Sequence, residues 1–207
     1  MQVWNHSSSP VRAYLEVKVF EKVRRGYRRV LFRHRQPVRS FVLNWTKAIY
    51  GLMYERANSQ AVQLVNTSGE SVWYPDIYDA SSEILKVRAP EGNTYFGILF
   101  GSGTTAPTLD DYKLESLIPH GTGSGQLYYH ATQLSYEKDT DRARVIVWRT
   151  ADNNSGGDIT ISELGLVMIW YPSPAEYALI LRDVLDTAVV VANTQSVEGR
   201  YVFEFVL

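Results

Sequence analysis

Short apolar runs separated by turn-forming residues constrain the fold of this chain more than any other feature of its sequence. After residue 57 these runs recur about every ten residues, and each is bounded by Gly, Pro, Asn, Asp or Ser. No helical crossover lies between them, which disfavours a parallel α/β architecture. The pattern predicts a mainly β fold, an antiparallel β-sandwich of jelly-roll-like type. The predicted strands lie at residues 61–65, 71–74, 84–87, 95–100, 126–134, 143–150, 159–161, 164–171, 177–182, 188–192 and 201–207.

One amphipathic helix is predicted before these strands, at about residues 40–57. Ser40 stands at the expected N-cap position. The apolar residues Phe41, Trp45, Ile49, Leu52 and Met53 follow at a spacing that places them on one helical face. We expect this face to pack against a sheet, and Asn44, Lys47 and Glu55 to lie elsewhere on the helix surface.

The first 37 residues are predicted to form a basic N-terminal β-hairpin arm, separate from a single β-sandwich domain at residues 38–207. Apolar and charged side chains alternate over residues 15–19, as in a strand with one buried face. Arg24-Arg25-Gly26 can form a turn, a second strand returns from Tyr27, and Pro37 ends it. Such a hairpin is a plausible projecting arm.

Composition argues against most cofactor chemistry. The 207 residues contain no cysteine and four histidines, which excludes thiolate-ligated metals, disulfides and thiol catalysis and disfavours a His-rich metal site. A chain of this length buries enough surface to fold without a metal or cofactor, and we expect neither. No apolar stretch approaches the ~20 residues of a membrane helix, and the N-terminus lacks export features, so we expect a soluble protein with no membrane partner.

Charge is divided unevenly along the chain. Residues 11–40 contain ten basic and two acidic side chains, which gives this segment a net charge of +8. The net charge of the whole chain is −1, so the residues from 41 onward carry a net charge of −9. The arginines can simply solvate the outer face and protect the edge of a hairpin. Alternatively they dock on an acidic surface, either that of an identical neighbour, giving head-to-tail assembly, or a nucleic-acid backbone. We favour the neighbour because the acidic excess lies on the same chain. The predicted interface residues are Arg24, Arg25, Arg28, Arg29, Arg33 and Arg35.

Catalytic motifs are not found. The Gly101-Ser102-Gly103 segment lacks the Lys and the spacing of a phosphate loop, and residues 121–125 lack the spacing of a nucleophile elbow. His120 and His130 flank that loop without a recognisable partner, and Asp110-Asp111 is expected to cap a local turn. We therefore assign no catalytic, cofactor-binding or metal-binding residue and expect no enzymatic activity.

Aromatic side chains on a sandwich surface could stack on sugars, which leaves a carbohydrate-binding domain as an alternative. Because side chains alternate along a strand, about half of any such set is expected in the core. The candidates are Trp73, Tyr74, Tyr128, Tyr129, Trp170 and Tyr171.

Several strings of residues resemble a known class of protein. They are the helix start Ser-Phe-Val-Leu-Asn at residue 40, Gly-Ser-Gly-Thr-Thr-Ala-Pro-Thr at 101–108, Gly-Thr-Gly-Ser-Gly-Gln-Leu at 121–127 and Asn-Asn-Ser-Gly-Gly-Asp at 153–158. Over residues 38–207 the chain resembles small virion structural proteins of tailed bacteriophages and related archaeal viruses. The resemblance implies a non-enzymatic β-rich assembly module of the capsid, neck or tail, located in the virion. Its partners would be copies of itself and other virion proteins, and a host-attachment tip domain that binds carbohydrate is the alternative role.

Overall fold

A computed structural model of the chain describes residues 11–22, 28–53, 63–73, 85–172 and 175–206. In these ranges the protein is mainly β, with a single α-helix, and every strand pairing is antiparallel, as the sequence predicts. No helix in the same ranges is both long and apolar enough to cross a membrane. The elements, in chain order, are β1 Val11–Lys22, β2 Arg28–Pro37, α1 Leu43–Met53, β3 Gln63–Val65, β4 Ser71–Trp73, β5 Gly97–Gly101, β6 Tyr128–Tyr129, β7 Gln133–Lys138, β8 Arg142–Asp152, β9 Ile159–Pro172, β10 Ala175–Val191 and β11 Ser196–Val206.

Two sheets contain most of these strands. The larger one, sheet A, has the order β2-β1-β11-β8-β6, and β7 pairs with β8 along the same side as β6. The smaller one, sheet B, has the order β10-β9-β5, while β3 and β4 form a short separate pair. One core cluster takes side chains from both sheets, including Val17 of β1, Tyr201 of β11 and Trp170 of β9.

The first strand is an interior strand of sheet A. β1 pairs with β11 from Val11↔Phe205 to Phe20↔Ser196, and with β2 on its other side. Its alternating residues Leu15, Val17 and Val19 are fully buried in the shared core, which is the face that the alternation predicts. Residues 11–22 therefore belong to the main sheet and do not project from it, in contrast to the predicted division at residue 37. The alternation identified the buried face but held no information on a partner strand near residue 200.

Two long strands replace four predicted short ones. β9 runs unbroken through residues 159–172, and β10 spans residues 175–191 with register shifts between Val184 and Val189 and at two other points. Three polar residues, Ser162, Glu163 and Asp183, lie in the gaps between the predicted strands. They are in fact buried in continuous strands.

The helix begins later than the sequence indicates. It starts at Leu43, and Ser40 is not its N-cap: the Ser40 carbonyl instead accepts the backbone N–H of Arg182 at 3.2 Å. Phe41 and Trp45 pack on the core as predicted, and the Trp45 ring stacks on Phe203 at 6.3 Å between centroids. The predicted helical residues 54–57 lie outside the described residues.

Asn44 is a second correction to the helix, since it is buried and not on the surface. Its side-chain amide donates to the carbonyls of Val65 (2.8 Å) and Leu179 (3.2 Å), and its oxygen accepts the N–H of Val65 (2.9 Å). These bonds join α1 to β3 and β10. The polar side chain is satisfied by backbone groups, which a helical-wheel argument cannot foresee.

A buried cation lies on the core side of β8. Arg149 is fully buried, and its guanidinium donates to the carbonyls of His130 (2.7 Å), Ile98 (3.1 Å), Pro90 (3.2 Å) and Asn93 (2.7 Å). Burial lowers the pKa of Arg149 to about 10, so the side chain stays charged at neutral pH. Through the carbonyls of Pro90, Asn93 and Ile98, this side chain holds the segment around residues 90–98 against sheet A.

The turn between β10 and β11 contains a strained residue. Thr194 has a φ of 74°, a left-handed conformation that is unfavourable for a β-branched side chain. Its side chain is exposed, and its backbone N–H donates to Asn153 at 2.7 Å.

Replacing Thr194 with Gly should therefore stabilise the protein. Relief of left-handed strain is worth about 1–2 kcal/mol, and the greater freedom of glycine in the unfolded chain offsets part of it. We expect a net gain of about 0.5–1 kcal/mol in the free energy of unfolding, measured by urea denaturation. Thr160→Gly, at an exposed position within β9, is the matched control and should destabilise. A loss of stability in Thr194→Gly would contradict the assignment of strain.

Candidate functional site

The basic strand β2 forms one edge of sheet A. It pairs with β1 only, among the described strands, and most of its residues are exposed on both faces. We call its free side, residues 28–37, the β2 edge. The six predicted interface residues divide here into two that lie outside the described residues, Arg24 and Arg25, and four on β2.

Two of the four arginines are engaged within the chain. Arg33 contacts the buried carboxylate of Glu16, with its Nε at 2.6 Å and its Nη2 at 2.5 Å from Oε1. The guanidinium of Arg35 lies 3.5 Å from the centroid of the Tyr14 ring. Both contacts lie on the β1–β2 strand pair. They agree with the hypothesis that the arginines solvate the outer face of a hairpin.

Burial alone would raise the pKa of Glu16, but bonds from Lys18 and Arg33 outweigh it and hold that pKa below its usual value. Glu16 is thus an ionised carboxylate enclosed by cations. Part of the positive charge that the sequence assigns to an intermolecular role is neutralised inside the molecule.

The other two arginines lie beside an exposed apolar stretch. Arg29 is 3.6 Å from the exposed Glu21, and Arg28 lies 5.7 Å from the centroid of the Phe20 ring. Between them and Arg33, the consecutive residues Val30, Leu31 and Phe32 are 49%, 39% and 36% exposed. Large apolar side chains flanked by arginines at an unpaired strand edge are typical of interaction surfaces. The arginines were predictable from the charge of the segment, whereas this apolar stretch was not predicted; its signal is three consecutive apolar residues in a strand.

A second charged cluster is buried near the long loop of residues 101–125. The guanidinium of Arg182 contacts Glu163 at 2.8 Å, Asp111 at 2.8 Å and Glu115 at 3.4 Å. It also donates to the Thr105 carbonyl at 3.1 Å. This cluster was not predicted from the sequence; the signal that could have indicated it is a charged residue, Glu163 or Arg182, within each of two long apolar stretches.

Glu163 explains the glycines of the Gly-Ser-Gly-Thr-Thr segment. Its carboxylate accepts the backbone N–H groups of Gly103 (3.1 Å), Glu115 (3.2 Å) and Ser116 (2.8 Å). A Cβ on Gly101 or Gly103 would lie 2.5 Å from Oε1 of Glu163. The segment is glycine-rich because its backbone wraps a carboxylate, and the prediction of a structural loop in place of a phosphate site agrees with this geometry.

Beside Arg182 a cleft of about 230 Å³ is lined by Asp111, Glu115 and Lys113, among others. Burial would raise the pKa of Asp111, but hydrogen bonds from Arg182 and Thr108 outweigh it and lower that pKa. Hydrogen bonds from Thr105 lower the pKa of Glu115. Both carboxylates are therefore ionised at neutral pH and hydrogen-bonded. Neither is held as a protonated general acid, and Asp111 caps the Thr108 turn as predicted.

A histidine, an aspartate and a serine meet at the end of β8. His130 Nε2 is 3.1 Å from Asp152, and the buried Ser196 hydroxyl donates to the same carboxylate at 2.5 Å. The carboxylate lies between the hydroxyl and the imidazole, whereas a nucleophilic triad requires the imidazole in the middle. Among the described residues no group of three His, Asp or Glu side chains is placed to hold a metal ion.

The aromatic residues proposed as sugar platforms are mostly not available for that role. Tyr129 and Trp170 are fully buried in the core. Trp73 is exposed and Tyr128 half-buried, with the Tyr128 hydroxyl bonded to Glu91. Tyr74 and the side chain of Tyr171 lie outside the described part of the chain.

Comparisons with known proteins add no relative: no protein-family model, no curated protein and no solved structure matches the chain.

Gly103→Ala tests whether the loop is built around Glu163. The added methyl group would lie 2.5 Å from Glu163 Oε1 and 2.6 Å from the Cβ of Glu115, so we expect a loss of about 1–3 kcal/mol in the free energy of unfolding by urea denaturation. Gly157→Ala is the matched control, because a Cβ there meets no atom within 4 Å, and it should cost nothing. Equal stability of the two variants would contradict this account of the loop.

Asp183, next to Arg182, gives a prediction for pH. Burial raises the pKa of Asp183 to about 6, against the opposing effects of the Arg39 backbone N–H and the Tyr201 hydroxyl. Because the folded pKa exceeds the unfolded value, this group favours folding most at low pH, and the benefit is lost as pH rises through 6.

Asp183→Asn removes that titration while keeping an oxygen that can accept from Arg39. The free energy of unfolding of the variant, relative to that of the natural chain, should therefore increase between pH 4 and pH 8. The increase should be about 3 kcal/mol if the pKa of Asp183 is raised to about 6. Urea denaturation at several pH values measures this difference, in which the titration of the other carboxylates cancels. A difference that stays constant across the range would show that folding does not raise the pKa of Asp183.

Proposed function

We propose that this chain is a non-enzymatic structural subunit of a virus particle, in a capsid-decoration, neck or tail role. It forms homo-oligomers by docking the basic β2 strand on an acidic surface of a neighbouring subunit, and it works in the virion after synthesis in the host cytoplasm. The observation that carries the proposal is the β2 edge: β2 has no neighbour on one side among the described strands, and three exposed apolar residues lie between its arginines.

Self-association follows from the character of this edge. A strand with free N–H and C=O groups accepts a further strand from another chain, and exposed apolar side chains stabilise the contact when they become buried. Lys and Pro are the usual protection of an edge; here Pro37 lies only at the end of β2 and the centre is Val-Leu-Phe. Because Arg33 and Arg35 are engaged within the chain, Arg28 and Arg29 are the charges best placed to meet an acidic partner.

The architecture proposed for the subunit is a two-sheet β-sandwich of jelly-roll-like type. Its support is the core cluster in which side chains of sheets A and B pack together. The place in a virus particle, and partnership with other virion proteins, rest on the sequence resemblance of residues 38–207. The proposal assigns no catalytic role to the carboxylates near Arg182, because Asp111 and Glu115 are ionised and hydrogen-bonded.

The test is the double variant Arg28→Ser/Arg29→Ser in sedimentation experiments over a range of concentrations. We expect the natural chain to form oligomers and the variant to dissociate at least tenfold more readily, which corresponds to about 1.4 kcal/mol. Arg88→Ser/Lys113→Ser changes the charge equally at exposed sites elsewhere and is the matched control. Unchanged sedimentation of the β2 variant would overturn the proposal.

Contact of the basic strand with nucleic acid is the competing outcome. It would appear as retardation of a DNA fragment that disappears between low and moderate salt, because phosphate contacts release counterions. Such retardation, lost in the Arg28→Ser/Arg29→Ser variant and without protein oligomers, would replace the neighbouring subunit with a nucleic-acid partner.

A further inference from the structure

Sheet A has a second free edge opposite β2. The strand β7 pairs with β8 along Gln133↔Trp148 to Lys138↔Ala143, and no other described strand lies beside it. We call this strand, together with the turn that follows it to residue 141, the β7 edge. Its residues Leu134 and Tyr136 are 45% and 66% exposed.

The two edges differ in charge. The β2 edge contains four arginines and no acidic residue, whereas the β7 edge contains Glu137, Asp139 and Asp141 against the single cation Lys138. Glu137, Asp139 and Asp141 are all exposed. Two of them contact arginines of the neighbouring strand β8: Glu137 lies 3.5 Å from Arg144, and Asp141 lies 3.3 Å from Arg142. Each edge also carries exposed apolar side chains, so the two surfaces are complementary in charge and alike in apolar character.

The edges have compatible directions. Every neighbouring pair from β2 to β7 is antiparallel, through β1, β11 and β8, so β2 and β7 run the same way in the sheet. A second copy shifted sideways would therefore bring its β7 beside β2 of the first copy as a parallel neighbour. Pairing of β2 with β2 around a two-fold axis would instead bring together two edges that contain four arginines each and no acidic residue.

We infer that the occupant of the β2 edge is the β7 edge of a second copy, so that sheet A continues from subunit to subunit. The inference rests on the proposed assembly function and specifies its geometry. Such a contact is heterologous: every subunit binds one neighbour through its β2 edge and another through its β7 edge. The assembly is then an open head-to-tail row or a closed ring.

The absence of cysteine makes site-specific crosslinking a direct test. Val30→Cys and Tyr136→Cys place single thiols on exposed positions of the two edges. The two variants are mixed and treated with a short bismaleimide crosslinker, and the mixed dimer is separated from each symmetrical dimer by tagging one chain. Val190→Cys, at an exposed apolar residue on the edge strand β10 of sheet B, is the control.

We expect the mixed Val30–Tyr136 product to dominate and to be lost when Arg28→Ser/Arg29→Ser is added to the Val30→Cys chain. A dominant Val30–Val30 product would overturn the inference in favour of two-fold pairing. If the natural chain sediments as an oligomer but the mixed product does not exceed that of the Val190→Cys control, the inference fails and the proposed assembly remains. If the natural chain is a monomer at all concentrations, the proposed function itself fails.

Discussion

The buried ion pair between Glu163 and Arg182 fixes the arrangement of the strands and loops around it. Either charge alone in this position would cost several kcal/mol, so β9 and β10 must hold both side chains together. The remaining bonding capacity of the Glu163 carboxylate is taken by backbone N–H groups between residues 103 and 116. A single charged pair thus connects two strands of sheet B to the loop that follows β5, and it explains why Gly101 and Gly103 have no side chain.

Features set by neighbouring residues were predictable from the sequence, and features set by distant partners were not. The alternation at residues 15–19 correctly predicts a buried face, and the Phe41/Trp45 spacing predicts helix packing on the core. The pairing of β1 with β11 depends on residues almost the whole chain apart, which no local pattern records. Glu163 and Asp183 lie between predicted strands and yet are buried within β9 and β10, because a side chain's partner, and not its type, decides whether a charge can be buried. The polar side chain of Asn44 is likewise buried because backbone groups of β3 and β10 bond to it.

The basic segment has less charge available to a partner than its net charge indicates. The sequence places an excess of positive charge before residue 41 and assigns it to a partner. In the structure Glu16 and the Tyr14 ring already bind Arg33 and Arg35, so that much of the excess stabilises the strand pair itself. What is left for a partner is smaller and more specific: Arg28 and Arg29, with the apolar side chains beside them. The net charge predicts a partner for this segment, whereas the strand order shows which side of β2 has no neighbour among the described strands.

The β1–β11 pairing also determines when the protein can fold. Sheet A cannot be closed until residues near 205 leave the ribosome, because its second strand comes from the start of the chain and its third from residues 196–206. Until then β1 lacks its neighbour on the β11 side, and the sheet that covers the core is incomplete. Such distant pairing slows folding and favours aggregation of unfinished chains. High-yield production of this polypeptide should therefore benefit from slow expression at low temperature or from chaperones.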